Sequence, residues 1–457
     1  MKNPRILAAA MITSFMTTFM SSALNLSVPA LESFFQVSAA AISWIVSAYT
    51  ISVAAMSLPF GKIADITGRR RIFLTGIAGF GILSVISIFA PSIALLITFR
   101  ALMGCCGAMV FATNNAILIS SYPPEMRGKV LGYSVAATYI GLTAGPVAGG
   151  ILNSTLGWRS IFALSALISA AAFGAAFRAP SAADVPSHIK PAKLDITGAV
   201  LYIAAIASSL YGLTNLDEGT VSILILAAGT TALIIFFIHE SGCEKRGSDP
   251  VMSVSMFRNS RTFTFSNLAA LLNYASTFAI SYTMSIYLQV ILGIPSAKAG
   301  LLLITMPAMQ ALFSPLTGSL SDRVRPSVLA RSGMGLCAAT LIMFSRLNEH
   351  TALAYIITAL CITGFGFALF SSPNTNAILS CVDREDYGVA NSIIATMRTC
   401  GQSSGMAIVS VITSLYLGSS SLEESPASDI LSMMHTAFLV FAVLCIAGLF
   451  FSLARDK

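Results

Sequence analysis

Apolar residues run in blocks of membrane length along this chain, and charged or turn-forming residues are confined to the gaps between them. The blocks fall at residues 6–26, 42–60, 72–90, 93–119, 130–152 and 160–177, then 196–214 and 221–238, then 263–290, 299–317, 328–345, 353–371, 391–416 and 436–453. An α-helix needs about 20 apolar residues to cross the hydrocarbon core of a bilayer, so each block predicts one transmembrane helix, fourteen in all. Backbone groups cannot stay unpaired in lipid, which leaves helices as the open-chain solution for such a pattern. Lys2 and Arg5 before the first block would suit a secretion signal, but the repeated return to apolar sequence favours a retained first span.

The charges give the bundle a direction. Of the 26 Lys and Arg, Arg159, Lys298 and Arg346 lie in the opposite loops and Arg100 and Arg398 inside blocks; the other 21 lie in loops on the side of the two termini. Short cytoplasmic loops hold the basic excess, which predicts cytoplasmic termini and an even number of spans in the plasma membrane of a cell. Composition agrees: 56% of residues are hydrophobic and 10% charged, against about 25% charged for a soluble domain. This excludes a soluble enzyme and a disordered chain. The net charge of +7 reports loops beside anionic membrane lipid rather than nucleic acid, because no basic patch carries interleaved aromatics. Eight Cys in 457 residues are too sparse for a disulfide scaffold, and the adjacent Cys105 and Cys106 have no metal-ligand spacing. Phosphate-loop, zinc-protease and nucleophile-elbow patterns are absent, so the reading is no enzyme, no metal and no cofactor.

Two short echoes organise the blocks. Asn-Ala-Ile-Leu occurs at 115–118 and 376–379, and G-x-x-x-D at 61–65 and 318–322, at nearly equal separations. Duplication would pair the first six spans with the last six, giving a half at 1–180, a linker with two extra helices at 181–258 and a second half at 259–457; chance similarity in apolar sequence is the alternative. Parallel halves with a small-molecule site at the midplane between them are a transporter architecture. Within the first half, Gly61, Asp65, Gly68, Arg69 and Arg70 form a loop in which glycines allow a tight turn. Asp65 can there cap a helix and pair with arginine, as a conformational latch. Gly141, Gly145, Gly149 and Gly150 with Pro146 put small residues along a helix, for close packing and a kink. Candidate cavity residues are the polar and aromatic groups within blocks. These are Asn25, Asn114, Asn115 and Tyr139, then Asn273, Tyr274, Tyr282, Gln289, Gln310, Asn374, Asn376, Arg398 and Gln402. Each could equally be an interhelical hydrogen-bonding residue. Met16, Met20 and Met284 could form an adaptable wall or fill the core.

The latch loop resembles the signature loop of the major facilitator superfamily, and the glycine stripe with Pro146 resembles the antiporter motif of its exporter branches. Arg100-Ala-Leu-Met103-Gly104 is similar to the family's R-x-x-Q-G element, whose arginine is associated with proton coupling. With Trp44 to Tyr49, Trp158-Arg159, Leu194-Asp195-x-x-Gly198 and Arg398-x-x-Gly401-x-x-x-Gly405, the whole chain is similar to the fourteen-helix drug:proton antiporters. The resemblance implies an all-α membrane protein with two six-helix bundles plus two inserted transmembrane helices. It further implies secondary active export of small amphipathic or toxic compounds by a monomer, with H+ as the counter-ion. The chain departs from the pattern at Met103, at Cys106, and at Met20, which stands where relatives carry an aspartate shortly before the positions of Asn25 and Pro29.

That departure weakens the proton expectation, because all 19 acids fall in loops or at block ends and arginine does not release its proton. Glu32, beside the first span, and Arg100 are the coupling candidates; a helix-end acid and a packing arginine are the plainer readings. If Arg100 and Arg398 both faced the cavity they would favour anions. A proton-independent facilitator or importer of an organic anion is therefore the alternative.

Overall fold

A computed structural model describes residues 4–24, 27–37, 39–179, 194–216, 219–417 and 426–454, and they form helices and turns only. In chain order these are α1 (Pro4–Ser22), α2 (Val28–Phe35), α3 (Ala39–Thr67), α4 (Arg69–Ile88), α5 (Ile93–Ser121), α6 (Arg127–Leu156) and α7 (Arg159–Phe177). The middle pair is α8 (Ile196–Thr214) and α9 (Thr220–Lys245). Then follow α10 (Ser255–Asn259), α11 (Arg261–Phe278), α12 (Ile280–Ile286), α13 (Ser296–Leu303), α14 (Thr305–Ser321), α15 (Pro326–Phe344), α16 (Leu353–Ser380), α17 (Tyr387–Leu417) and α18 (Ala427–Ala454). The membrane-length segments alternate in direction, α11 running on into α12 and α13 into α14 through one helical residue each. The basic end is the one where α1 starts, beside the end of α7, and α18 ends, beside the start of α11.

Helix pairing repeats. In one bundle α1 packs on α6 and α7, α3 on α5, and α4 on α5 and α7. In the other α11 packs on α17 and α18, α14 on α16, and α15 on α16 and α18, the same pattern order for order. The bundles meet along α6 with α14 and along α3 and α5 with α17. The helix α8 touches both bundles: Tyr211 stacks on Trp44 of α3 with ring centroids 5.4 Å apart, and the Tyr202 hydroxyl lies 2.6 Å from Thr396 Oγ1 on α17. The helix α9 leans chiefly on α8 and leaves Ile223, Leu224, Ile234 and Ile238 exposed, an apolar face suited to lipid.

Twelve helices among the described residues are long and apolar enough to cross a membrane. The expected fourteen are thus met for twelve, and α1 and α11 fall outside. The reason is their polar content, which faces inward. On α1 the hydroxyls of Thr13, Thr17 and Thr18 donate to carbonyls one turn back, Ala9, Thr13 and Ser14, at 2.8 to 2.9 Å. Thr18 and Ser22 also donate across to the carbonyls of Thr138 and Leu142 on α6, at 2.9 and 3.3 Å. Hydroxyls paired this way carry little of the transfer cost that hydropathy assigns them. On α11, Ser266, Asn267 and Asn273 are buried within the second bundle.

Candidate functional site

The basic end is closed by two reciprocal caps. Asp65 near the end of α3 is 1% exposed and accepts the backbone N–H groups of Gly388 and Val389, at 3.1 and 3.0 Å, at the start of α17 in the other bundle. A carboxylate there meets unpaired helix donors and the positive end of the helix dipole. Arg69 Nε donates to the same carboxylate at 2.7 Å. The Arg69 guanidinium also donates to the Arg384 carbonyl and, at 3.3 Å, to that of Glu385, and lies over the Tyr387 ring. At the equivalent place in the second bundle, Asp322 accepts the N–H groups of Gly128 and Lys129, at 2.6 and 3.0 Å, at the start of α6. Burial pushes the Asp322 carboxyl above its ordinary value, against the pull of those two donors.

Glycines make the closure possible. A Cβ on Gly61 would lie 2.7 Å from the Gly388 carbonyl oxygen, and one on Gly128 would lie 2.2 Å from that of Gly318. Gly68 has φ of +107°, which gives the turn from α3 to α4 a backbone that L residues rarely adopt. Arg70 donates to the Phe177 carbonyl at 2.9 Å, within its own bundle.

Inward of the caps lies a small polar cavity of about 50 Å³ between the bundles. Asn114 donates to Ser14 Oγ at 2.8 Å, and Asn115 Nδ2 donates to Asn391 Oδ1 on α17 at 2.9 Å, so the network crosses between bundles. Arg398 lines this cavity, its guanidinium 4.7 Å from the centroid of the Phe111 ring. Beyond it, toward the opposite end, a cavity of about 810 Å³ lies between α6 and α11 to α14. Its wall is mostly apolar, with several Ser and Thr hydroxyls and with Tyr139, Tyr274, Tyr282, Gln310 and Gln402 as the larger polar groups. Tyr139 and Tyr274 belong to both cavities and meet Phe367 edge-on, at centroid distances of 5.6 and 5.3 Å.

Of the other residues singled out by sequence, several sit elsewhere. Asn273 is fully buried inside its own bundle and lines neither cavity. Asn374 donates to the Ser266 carbonyl at 3.0 Å, and Asn376 to Ser321 Oγ at 3.1 Å, which ties helices together instead of facing a ligand. Gln289 is exposed in the π-turn Tyr287–Ile291 and bonds Ser285 Oγ at 2.7 Å. Asn25 lies outside the described residues. Glu32 on α2 is half-buried and lines neither cavity. Arg100 is fully buried among α1, α3 and α5. Its Nε donates to the Ile45 carbonyl at 2.9 Å and Nη2 to that of Met20 at 3.4 Å, with the guanidinium over Tyr49. The two intramembrane arginines thus divide: Arg398 faces a cavity and Arg100 is a packing residue. Met16, Met20 and Met284 are core, while Met306 and Met406 line the larger cavity.

The glycine stripe of α6 is an interbundle-independent packing surface. Cβ atoms on Gly141, Gly145 and Gly149 would come within 2.5 Å of Thr18, Ser22 and Ala23 on or just after α1. Gly150 sits one position round the helix and is half-buried, and α6 runs unbroken through Pro146, which lines the larger cavity. Gly401 and Gly405 of α17 lie as closely on α11. Two functional-looking groups escaped the sequence reading. Asp322 was marked by its G-x-x-x-D repeat, and Asn391 by falling seven positions before Arg398 on the same helical stripe.

Paired helical bundles enclosing an apolar cleft with a few polar groups define a multi-pass membrane transporter of small molecules, not an enzyme. The chain belongs to the Major Facilitator Superfamily, whose sequence pattern matches residues 10–257 and 267–457. It is 28% identical to the riboflavin transporter RibZ of Clostridioides difficile, over 99% of this chain and 98% of that one. It is 28% identical to the multidrug resistance protein Stp of Mycobacterium tuberculosis, over 86% of this chain and 72% of that one. It is 26% identical to the tetracenomycin C resistance and export protein of Streptomyces glaucescens, over 91% and 76%. Among solved structures, the human organic anion transporter MFSD10 superimposes with a TM-score of 0.67 at 13% identity, over 98% of this chain and 99% of that one, which shows a shared fold.

Proposed function

We propose that this protein is a fourteen-span secondary active exporter of small amphipathic compounds, of the drug antiporter kind, working by alternating access. The observation that carries the reading is the pairing of a large apolar cavity between the bundles with two caps that close the basic end beneath it. Helices α1 and α11 with α12 complete the fourteen spans. The halves are 1–180 and 259–457, with 181–258 as the inserted pair and its linkers. The basic end is cytoplasmic by its excess of Lys and Arg, in the plasma membrane, so the form described faces outward. The caps at Asp65 with Gly61, Gly68 and Arg69, and at Asp322, latch that form. Tyr139, Tyr274, Tyr282, Gln310 and Gln402 orient the substrate in the apolar wall.

Several relatives carry export or resistance in their names, which supports outward movement. The counter-ion is H+ in this reading, although no carboxylate among the described residues lines either cavity. A second reading rests on Arg398 alone, a cation facing the polar cavity: facilitated, proton-independent passage of an organic anion. Everted vesicles with an imposed pH gradient and a pH-sensitive dye separate them. Lipophilic cations, organic anions and neutral drugs are added in turn. Dissipation of the gradient by one class supports H+ antiport. Labelled substrate moving without any dye response refutes it and supports the facilitator.

A further inference from the structure

The inserted helix pair carries a cluster that the transport reading does not use. Asp195 caps the start of α8 through Oδ1, which accepts the Gly198 N–H at 3.1 Å. Its other oxygen, Oδ2, lies 2.7 Å from His239 Nε2 and 3.6 Å from Cys243 Sγ, and that sulfur is 3.5 Å from the same imidazole nitrogen. His239 and Cys243 are one helical turn apart on α9, so a single face presents both. One nitrogen, one sulfur and one carboxylate oxygen thus converge on one point from two helices. The side chains of His239 and Asp195 are 30% and 15% exposed, which leaves the cluster reachable.

A second observation concerns Glu240, which is fully buried beside the cluster. One of its oxygens accepts the Met252 N–H at 2.9 Å, and the other, Oε1, has no hydrogen-bond partner among the described residues. A Cβ built on Gly198 would lie 2.1 Å from that oxygen and 2.7 Å from Asp195 Oδ2. Glycine at 198 therefore lets two carboxylates approach each other, one of them with an unpaired buried oxygen. Such an oxygen is costly without a cation or donor nearby.

We propose that Asp195, His239 and Cys243 form a site for a borderline divalent transition-metal ion, Zn2+ by donor set, with Glu240 or water as the fourth donor. A tetrahedral Zn2+ with Zn–N near 2.0 Å and Zn–S near 2.3 Å holds its donors about 3.3 to 3.6 Å apart. The two contacts to sulfur already have this spacing. Only the carboxylate–imidazole pair must open, by roughly half an ångström. Mixed N, S and O donors select against Mg2+ and Ca2+, which prefer oxygen throughout. The ion would tie the start of α8 to the end of α9, and α8 is the helix that touches both bundles.

The test uses the purified full-length protein in detergent, titrated with Co2+ as a coloured probe for Zn2+. The expected result is one equivalent bound with a thiolate-to-cobalt charge-transfer band, bleached on adding Zn2+. Cys243→Ser should abolish that band, and His239→Ala should weaken binding by at least roughly tenfold. Cys381→Ser, a thiol outside the cluster, should change neither. Thermal unfolding without metal verifies that each variant is folded. No stoichiometric binding by the folded wild type, or binding untouched by Cys243→Ser and His239→Ala together, overturns the site and leaves the three residues as a hydrogen-bonded clip. Neither outcome bears on transport, which is read separately in vesicles.

Discussion

Replacing Asp65 by Asn tests the clamp most directly. The side chain is of nearly the same shape and keeps one acceptor, but it loses the charge that meets two α17 N–H groups and the Arg69 guanidinium. Arg69 is 7% exposed, so the change also strands a mostly buried cation. Removing one partner of a buried pair costs about 3 to 5 kcal/mol. The Arg384 and Glu385 carbonyls still hold Arg69, which places the expected cost at the low end, about 3 kcal/mol, because charged donors retain roughly 1.5 kcal/mol per remaining hydrogen bond. In the proposed alternating-access cycle this cost falls on the form closed at the basic end, because opening that end draws α3 away from the start of α17. Its equilibrium against the form open at that end should shift by roughly a hundredfold. Spin labels at the exposed positions Thr67 and Asp383, one on each bundle, read the separation by pulsed electron resonance. The wild type should show one short distance and Asp65→Asn a dominant longer one, with slower transport and normal expression. Arg69→Gln added to Asp65→Asn should recover part of the short distance. An unchanged distance distribution with unchanged turnover would refute the clamp.

Further expectations follow from the same contacts. Asp322→Asn, which mimics the protonated carboxyl and strands no comparably buried guanidinium, should leave the basic end closed where Asp65→Asn opens it; equal opening in the spin-label measurement would contradict this. Burial holds Asp322 above the ordinary carboxylate value of 3.8 in the closed form, so closure takes up protons. The closed fraction should then rise as pH falls from the raised value toward about 4, fall as pH climbs back through it, and lose part of that dependence in Asp322→Asn. Gly128→Ala places a methyl carbon 2.2 Å from the Gly318 carbonyl oxygen, so flux should fall at least roughly tenfold while the protein still inserts, as membrane fractionation would show. Arg398→Gln should reduce transport of anionic compounds at least roughly tenfold and of neutral ones less than about twofold, measured side by side in vesicles. Arg100→Ala should act on the fold instead, lowering stability by about 2 to 4 kcal/mol and hence the melting temperature, with an unchanged KM in the protein that survives.

Helix positions could be read from the chain because lipid imposes length and apolarity on each segment independently of its neighbours. The repeat could be read too, since Asp65 and Asp322 stand at the same place in each bundle. What each aspartate caps could not. Its partners are backbone N–H groups of Gly388 and Gly128, which leave no side-chain signature, and the pairing spans the whole interface. Arg100 and Arg398 look alike in sequence, both lone cations in apolar runs; only packing puts one inside a bundle and the other on a cavity. Asn273, Asn374 and Asn376 line neither cavity for a related reason. A helix surrounded by others has no solvent face, so its polar residues point to neighbours as readily as to a cleft. The Asp195, His239 and Cys243 cluster joins two helices whose ends meet only after the hairpin between α8 and α9 closes.

The inward-facing hydroxyls of α1 and the amides of α11 bear on how the protein is made. These are the opening helices of the two repeats, and by composition they are the least ready to leave an aqueous insertion channel for lipid. Thr13 and Thr17 bond carbonyls of α1 itself, but Ser14, Thr18 and Ser22 meet Ser134 and the carbonyls of Thr138 and Leu142 only when α6 arrives, late in the first repeat. Membrane integration of the first half is therefore a delayed, cooperative event, in which α1 waits at the channel or the bilayer edge for a helix synthesised more than a hundred residues later. Ribosome-bound intermediates truncated before α6 should leave α1 extractable at alkaline pH, and lengthening them through α6 should anchor it.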